Sequence, residues 1–338
     1  MTPATWWLDV YFRLFGYQVL VASVAAGIMT YLAGLMIALA INFVDVYVTT
    51  PPVYLGLVGI MWTCAFVGWG RMRINDLLNE IEPVFRANGT YVEAAAKWER
   101  RLLDWRPQAA FSVLSFVGSS LFVWYATHAQ EFPWFPPPWS RGPDLWQKNV
   151  IVYVYAAPIL VLLGSALGFI GAFTTFVLSL RKLKAVPVLP AALAMLRPVA
   201  GYGLTLSIGW SGGISIFIVF FRLSPTIGTV LVVGGLSGIA FVILFSPQYA
   251  IHRVISETKR SILEAGALKL AGDVTYGKDG LDDFLSRLAK EDGQDLVKVL
   301  EAVSLSRTWV YAYTALVPLV APVGLPLGVL VLRAILGR

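Results

Sequence analysis

The chain has 338 residues, of which 57% are apolar types and only 14% are charged. A soluble domain carries about 25% charged residues, so most of this chain must use lipid as its solvent. That excludes a soluble enzyme, a disordered polypeptide and a secreted disulfide scaffold. The formal net charge is +6, and the single cysteine, Cys64, has no intrachain partner for a disulfide.

In chain order, residues 1–70 predict two transmembrane helices. The first covers about 17–44, uncharged between Arg13 and Asp45, and reads as a retained first helix rather than a cleaved signal. The second covers 53–70, after the turn Thr49-Thr50-Pro51-Pro52. Residues 71–108 form a polar segment. Within it Ile74, Leu77, Leu78 and Ile81 recur at i, i+3, i+4 and i+7, the stripe of an amphipathic helix, and a second helix is expected over 91–103.

Residues 109–250 predict spans three to six, at about 109–128, 150–180, 199–221 and 227–250. Between the third and fourth lies Glu131-Phe132-Pro133-Trp134-Phe135-Pro136-Pro137-Pro138-Trp139. Its prolines keep it extended and its tryptophans suit the headgroup layer. Residues 251–308 read as a small helical domain outside the membrane, with stripes at Leu281, Phe284, Leu285 and Leu288 and at Leu296, Val299, Leu300 and Val303. The acidic turn 273–283 lacks the ligand alternation and closing Glu of a calcium loop. In 309–338, the stretch 309–332 is uncharged but carries Pro318, Pro322 and Pro326. It is either a kinked seventh span or a re-entrant hairpin turning at 320–324.

Basic residues near span ends set orientation. With the amino terminus in the cytoplasm, 21 of the 26 Lys and Arg fall on the inner side, including Arg71, Arg73, Arg181, Lys182 and Lys184 beside span ends. The segments 71–108 and 251–308 are then cytoplasmic. The positive excess follows membrane topology, and no polybasic surface interleaved with aromatics exists for nucleic acid.

Chemistry inside the spans is sparse. No Asp, Glu, Lys, Arg or His falls mid-span; Asp45, His128, Arg222 and His252 lie at predicted ends. A proton-coupled pump needs an intramembrane titratable group, so that mechanism is disfavoured. What remains is a face of hydroxyls, Ser207, Ser211 and Ser215, every four residues in the fifth span. These are the pore-lining candidates, with Arg222 the candidate for an outer mouth. Small-residue pairs Gly164/Gly168, Gly209/Gly213, Gly234/Gly238 and Gly324/Gly328 suit close helix packing in lipid. Gly209-Trp210-Ser211-Gly212-Gly213 matches the G-x-S-x-G string of serine hydrolases. A base must lie within hydrogen-bond reach, and His252 is predicted roughly 20 Å away along the sixth helix, so no catalysis is expected. Nor is any metal or cofactor.

The fold class expected is therefore all-α: a polytopic α-helical membrane protein of about seven transmembrane helices, the last kinked or re-entrant, with a small helical cytoplasmic domain. The function expected is a homo-oligomeric channel or pore for ions or small solutes, gated or assembled through its cytoplasmic helices. The alternatives are a secondary transporter for a neutral or lipidic substrate and a non-transporting sensor or scaffold.

Overall fold

A computed structural model describes residues 7–49, 51–85, 93, 97–98, 101–102, 104–129, 145–180, 189–220, 227–270, 293–305 and 316–336. The described residues form helices and short turns, with no strand. Arg222, the proline-tryptophan segment 131–139, the acidic turn 273–283 and the stripe 281–288 lie outside them.

The helices are α1 (Trp7–Leu14), α2 (Val19–Ala40), α3 (Val44–Thr49), α4 (Pro51–Ile81, followed by a 3-10 turn Glu82–Phe85), α5 (Trp105–Ala129), α6 (Leu145–Leu180), α7 (Leu189–Phe220), α8 (Ile227–Leu270), α9 (Gly293–Leu305) and α10 (Leu316–Leu336). Five of them contain stretches long and apolar enough to cross a membrane: Val19–Ala40, Val53–Ile81, Tyr153–Leu180, Leu196–Val219 and Gly228–Glu264. Their outward faces carry exposed Leu20, Met36, Val58, Leu231 and Val242. Such a surface in water would be an aggregation hazard, whereas lipid tails cover it at no cost. These features are those of a multi-pass integral membrane protein.

Three boundaries differ from the periodicity reading. The second span does not stop at residue 70; α4 runs on to Ile81 without a break. Ile74, Leu77, Leu78 and Ile81 of the predicted amphipathic stripe are all buried, so the same core that holds the span holds its extension. The first span is preceded by a separate helix, α1, and both junctions close with Schellman turns. After α1, Tyr17 N–H donates to Phe12 O (2.8 Å) and Gly16 N–H to Arg13 O (3.0 Å), with Gly16 at φ +59°. After α2, Phe43 N–H donates to Ala38 O (2.8 Å) and Asn42 N–H to Leu39 O, with Asn42 at φ +52°. The left-handed residue satisfies carbonyls that helix termination would orphan.

The third boundary is the proline-rich stretch. Residues 316–336 are one helix, with no reversal at 320–324, so the re-entrant hairpin is not formed. Pro318 lies in the first turn, where its missing N–H would lack an intrahelical partner anyway, and Pro322 and Pro326 follow at four-residue spacing on the same face. The freed carbonyls are thus gathered on one side of a helix that packs on both α7 and α8.

Packing is organised around α4 and α7. α4 contacts α2, α6 and α7, while α7 contacts α4, α8 and α10. The α5–α6 pair is drawn close by small residues. A Cβ at Gly164 would overlap the backbone of Phe111 and Ser112, and one at Gly168 would stand 2.9 Å from Gln108 Cα. Ser112 donates to Val161 O (2.8 Å) across the same seam, and Gln108 accepts from Ser165 (3.3 Å).

Candidate functional site

α7 and α8 form an antiparallel pair whose register is set by two polar contacts. Ser207 Oγ donates to Ala240 O (2.9 Å) and Trp210 Nε1 donates to Leu236 O (3.0 Å). Gly203 lets the pair close at its lower end, because a Cβ there would stand 2.6 Å from Pro247 Cγ. On the other flank of α7, Trp62 Nε1 donates to Gly209 O (2.9 Å), and the Trp62 indole covers Gly212 and Gly213. Gly209 itself lies under the Phe66 ring. α7 is therefore held on two sides, by its own Trp210 indole reaching to α8 and by the Trp62 indole of α4 reaching to it.

The three predicted serines fall in this clamp, turned into the chain. Ser207 and Ser211 are both 0% exposed. Ser207 spends its hydroxyl on α8, and Ser215 donates to Ser211 O within α7 (2.9 Å). Ser211 differs: its hydroxyl has no hydrogen-bond partner among the described residues. The same is true of Ser237 on α8, 3% exposed, and further along α8 of the Ser246 hydroxyl and the Gln248 side-chain nitrogen. Ser211 lies about 12 Å from the Val219 end of its span and Ser237 about 14 Å from the Gly228 end of its own, at 1.5 Å per residue. They stand at matching depth. A buried hydroxyl without a partner costs about 1–3 kcal/mol, so this is the polar anomaly of the bundle.

Among the described residues the charged side chains of the candidate spans fall towards one end: Arg71, Arg73, Asp76 and Glu80 in the later part of Val53–Ile81, Arg197 at the start of Leu196–Val219, and Arg253 to Glu264 in the later part of Gly228–Glu264. Asp45 is exposed on α3. His252 lies about 22 Å along α8 from the level of Ser237, too far to activate Ser211. No group of His, Cys, Asp or Glu suited to hold a metal ion occurs among the described residues. Two of the glycine pairs are placed unlike Gly164/Gly168: around Gly234 and Gly238 on α8, and around Gly324 and Gly328 on α10, a Cβ would meet nothing within 4 Å, so those small-residue faces are open.

Where α4 and α7 leave the apolar zone lies a cavity of 390 Å³, walled by Trp69, Arg73, Leu77 and Glu80 from α4 and by Arg197, Pro198, Gly201, Tyr202 and Thr205 from α7. Its floor is rigid. Trp69 stacks on Tyr202 (5.5 Å between ring centres), Phe173 packs against Tyr202 (4.9 Å), and the Tyr202 hydroxyl donates to Gly70 O. Periodicity could not find this site, because its residues are ordinary span-end aromatics and arginines until α4 and α7 are brought side by side.

Comparison with protein-family models, with curated proteins and with solved structures finds no match to this chain. The class is set by the helices alone: a multi-pass bundle of apolar helices suited to a bilayer.

Proposed function

We propose that this chain is a channel-type membrane protein that assembles as a homo-oligomer and passes ions or small solutes by way of hydroxyls and carbonyls. The reading takes α5 and α10 as spans beside the five candidate spans named above, giving seven, with the amino terminus and the segments 71–108 and 251–308 in the cytoplasm. The observation that carries it is the pair of buried, unpartnered hydroxyls Ser211 on α7 and Ser237 on α8 at matching depth. Inside lipid an unsatisfied polar group is costly, and a path that hydrates it in use removes that cost. The open glycine face Gly234/Gly238 supports association, since small residues let helices of neighbouring subunits approach closely.

The test is flux through the purified full chain in proteoliposomes, by planar bilayer and by dye release. Flux above protein-free vesicles is expected, and it drops several-fold in Ser211→Val without a fall in melting temperature. The absence of conductance under every voltage, ligand and pH tried would overturn the reading.

A second reading, a sensor or scaffold, is favoured by α8. Its 44 residues extend about 66 Å, twice the roughly 30 Å hydrocarbon core. α9 docks on the polar later part of α8, where Lys259 Nζ donates to Ser304 O (2.6 Å). A rigid rod of this kind carries displacement from the bilayer to a polar domain. Deleting 256–306 would abolish signalling in a sensor and leave a channel constitutively open or unassembled.

A further inference from the structure

The cavity between α4 and α7 carries both signs of charge over an aromatic floor. Arg197 enters from the start of α7, and among the described residues no carboxylate pairs with it. Glu80, on the opposite wall, likewise has no ion-pair partner among the described residues. Arg73 is shared with Asp76 at 3.3 Å. Open, unneutralised cation and anion facing one hollow is an arrangement that a zwitterion satisfies at both ends. The 390 Å³ volume falls within the roughly 300–1,000 Å³ of small-molecule sites. The site lies where α4 passes from its apolar stretch to Arg71 and Arg73, and basic residues towards a span end suit the headgroup layer.

From this geometry we infer that the cavity binds a phosphate–ammonium headgroup: the phosphate on Arg197 with help from Arg73, the ammonium on Glu80. A guanidinium holds a phosphate through parallel N–H bonds. The headgroup comes either from an aminophospholipid in the adjoining leaflet or from a soluble phosphoethanolamine.

Gly201 makes the test clean. It lines the cavity, and a Cβ added there meets nothing within 4 Å, so Gly201→Phe fills the hollow from an open helix position. Native mass spectrometry of the full chain in detergent would be run with phosphatidylethanolamine, phosphatidylglycerol and phosphatidylcholine in turn, with free phosphoethanolamine as competitor. Phosphatidylethanolamine is expected to bind at least about tenfold more tightly than the other two. That binding weakens about tenfold or more in Arg197→Glu and Gly201→Phe, the scale of one charge-assisted contact. Glu80→Gln should erode the preference over phosphatidylglycerol. Competition by millimolar phosphoethanolamine assigns the soluble source; its failure assigns the lipid. Equal retention of all three lipids, or undiminished binding in both Arg197→Glu and Gly201→Phe, overturns the inference. Circular dichroism of each variant guards against misfolding, and the conservative Glu80→Gln remains informative if either bulkier change unfolds. The readout is independent of flux, so the conduit reading stands or falls separately.

Discussion

Arg71 and Asp9 form a two-pronged ion pair, the guanidinium Nε and Nη2 donating to the two carboxylate oxygens, with side chains only 11% and 14% exposed. The pair joins helices far apart in the chain, and the Phe12 ring lies against Gly68 beside it. Asp9 and Phe12 thus fasten α1 across α4 where α4 leaves its apolar stretch. Removing one partner strands the other charge, a loss of about 3–5 kcal/mol for a buried pair. Asp9→Asn is expected to lower the detergent melting temperature clearly. Arg71→Lys should do so too, because an ammonium cannot reproduce the two-pronged geometry. The exchanged double variant Asp9→Arg/Arg71→Asp should recover part of the loss. Unchanged melting in Asp9→Asn would show that α1 is not fastened by charge.

The buried tyrosines of α3 and α6 offer a second check. Tyr47 Oη is 2.5 Å from Tyr155 Oη and also donates to Tyr31 O at 2.8 Å. Gly34 leaves the space for that phenol, since any Cβ there would overlap it. Gly34→Ala should therefore destabilise by about 1–3 kcal/mol despite alanine's better helix propensity. Tyr155→Phe should cost about 1 kcal/mol. Thermal unfolding of both variants, with hydrogen exchange of α3, reads the difference.

High pH probes α1. Burial, with a smaller contribution from Cys64, raises the Tyr11 phenol to about 12, above the ordinary value near 10. Its hydroxyl donates to Ala22 O at 2.5 Å. The folded pKa is raised, so the stability this group adds is full below about pH 10 and is lost as pH climbs towards 12. The melting-temperature gap between wild type and Tyr11→Phe should narrow over that interval and stay constant from pH 7 to 9. A gap that is flat up to pH 12 would contradict the assignment.

Glycines on two helices should respond oppositely. Gly164→Leu must push α5 away from α6, because backbone rather than a yielding side chain fills the space; loss of folded protein on size-exclusion chromatography is expected. Gly238→Leu meets nothing within the chain, so the monomer fold should persist. If α8 faces a neighbouring subunit, as proposed above, light scattering should report a smaller assembly. An unchanged oligomer would place that face in lipid.

A similar contrast separates the serines. Ser207→Ala removes a made hydrogen bond to Ala240 and should cost about 1 kcal/mol, whereas Ser211→Ala removes an unpartnered buried hydroxyl and should be neutral or stabilising. Equal destabilisation by both in detergent melting would show that Ser211 has a partner.

Much of the architecture was readable from local pattern. Lipid-length apolar runs require helices, because no other backbone in a bilayer satisfies its own polar groups within one segment. Ile74, Leu77, Leu78 and Ile81 announced a buried stripe through their spacing. The hairpin alternative at 320–324 failed because four-residue proline spacing is compatible with one helix face, a matter of packing that composition does not reveal. The serine face was visible as a face, yet which way it turned was not: periodicity gives the side of a helix and leaves its azimuth to the neighbours.

Sequence alone determined that the chain is a helical bundle for a bilayer, since apolar content and run length act through transfer free energy and need no partner to be identified. Tertiary structure decided which polar groups meet. Asp9 with Arg71, Ser207 with the Ala240 carbonyl, and Trp62 with the Gly209 carbonyl are all distant pairings. Contact between them depends on how α4, α7 and α8 are rotated and stacked, and that is set by close packing among many side chains at once.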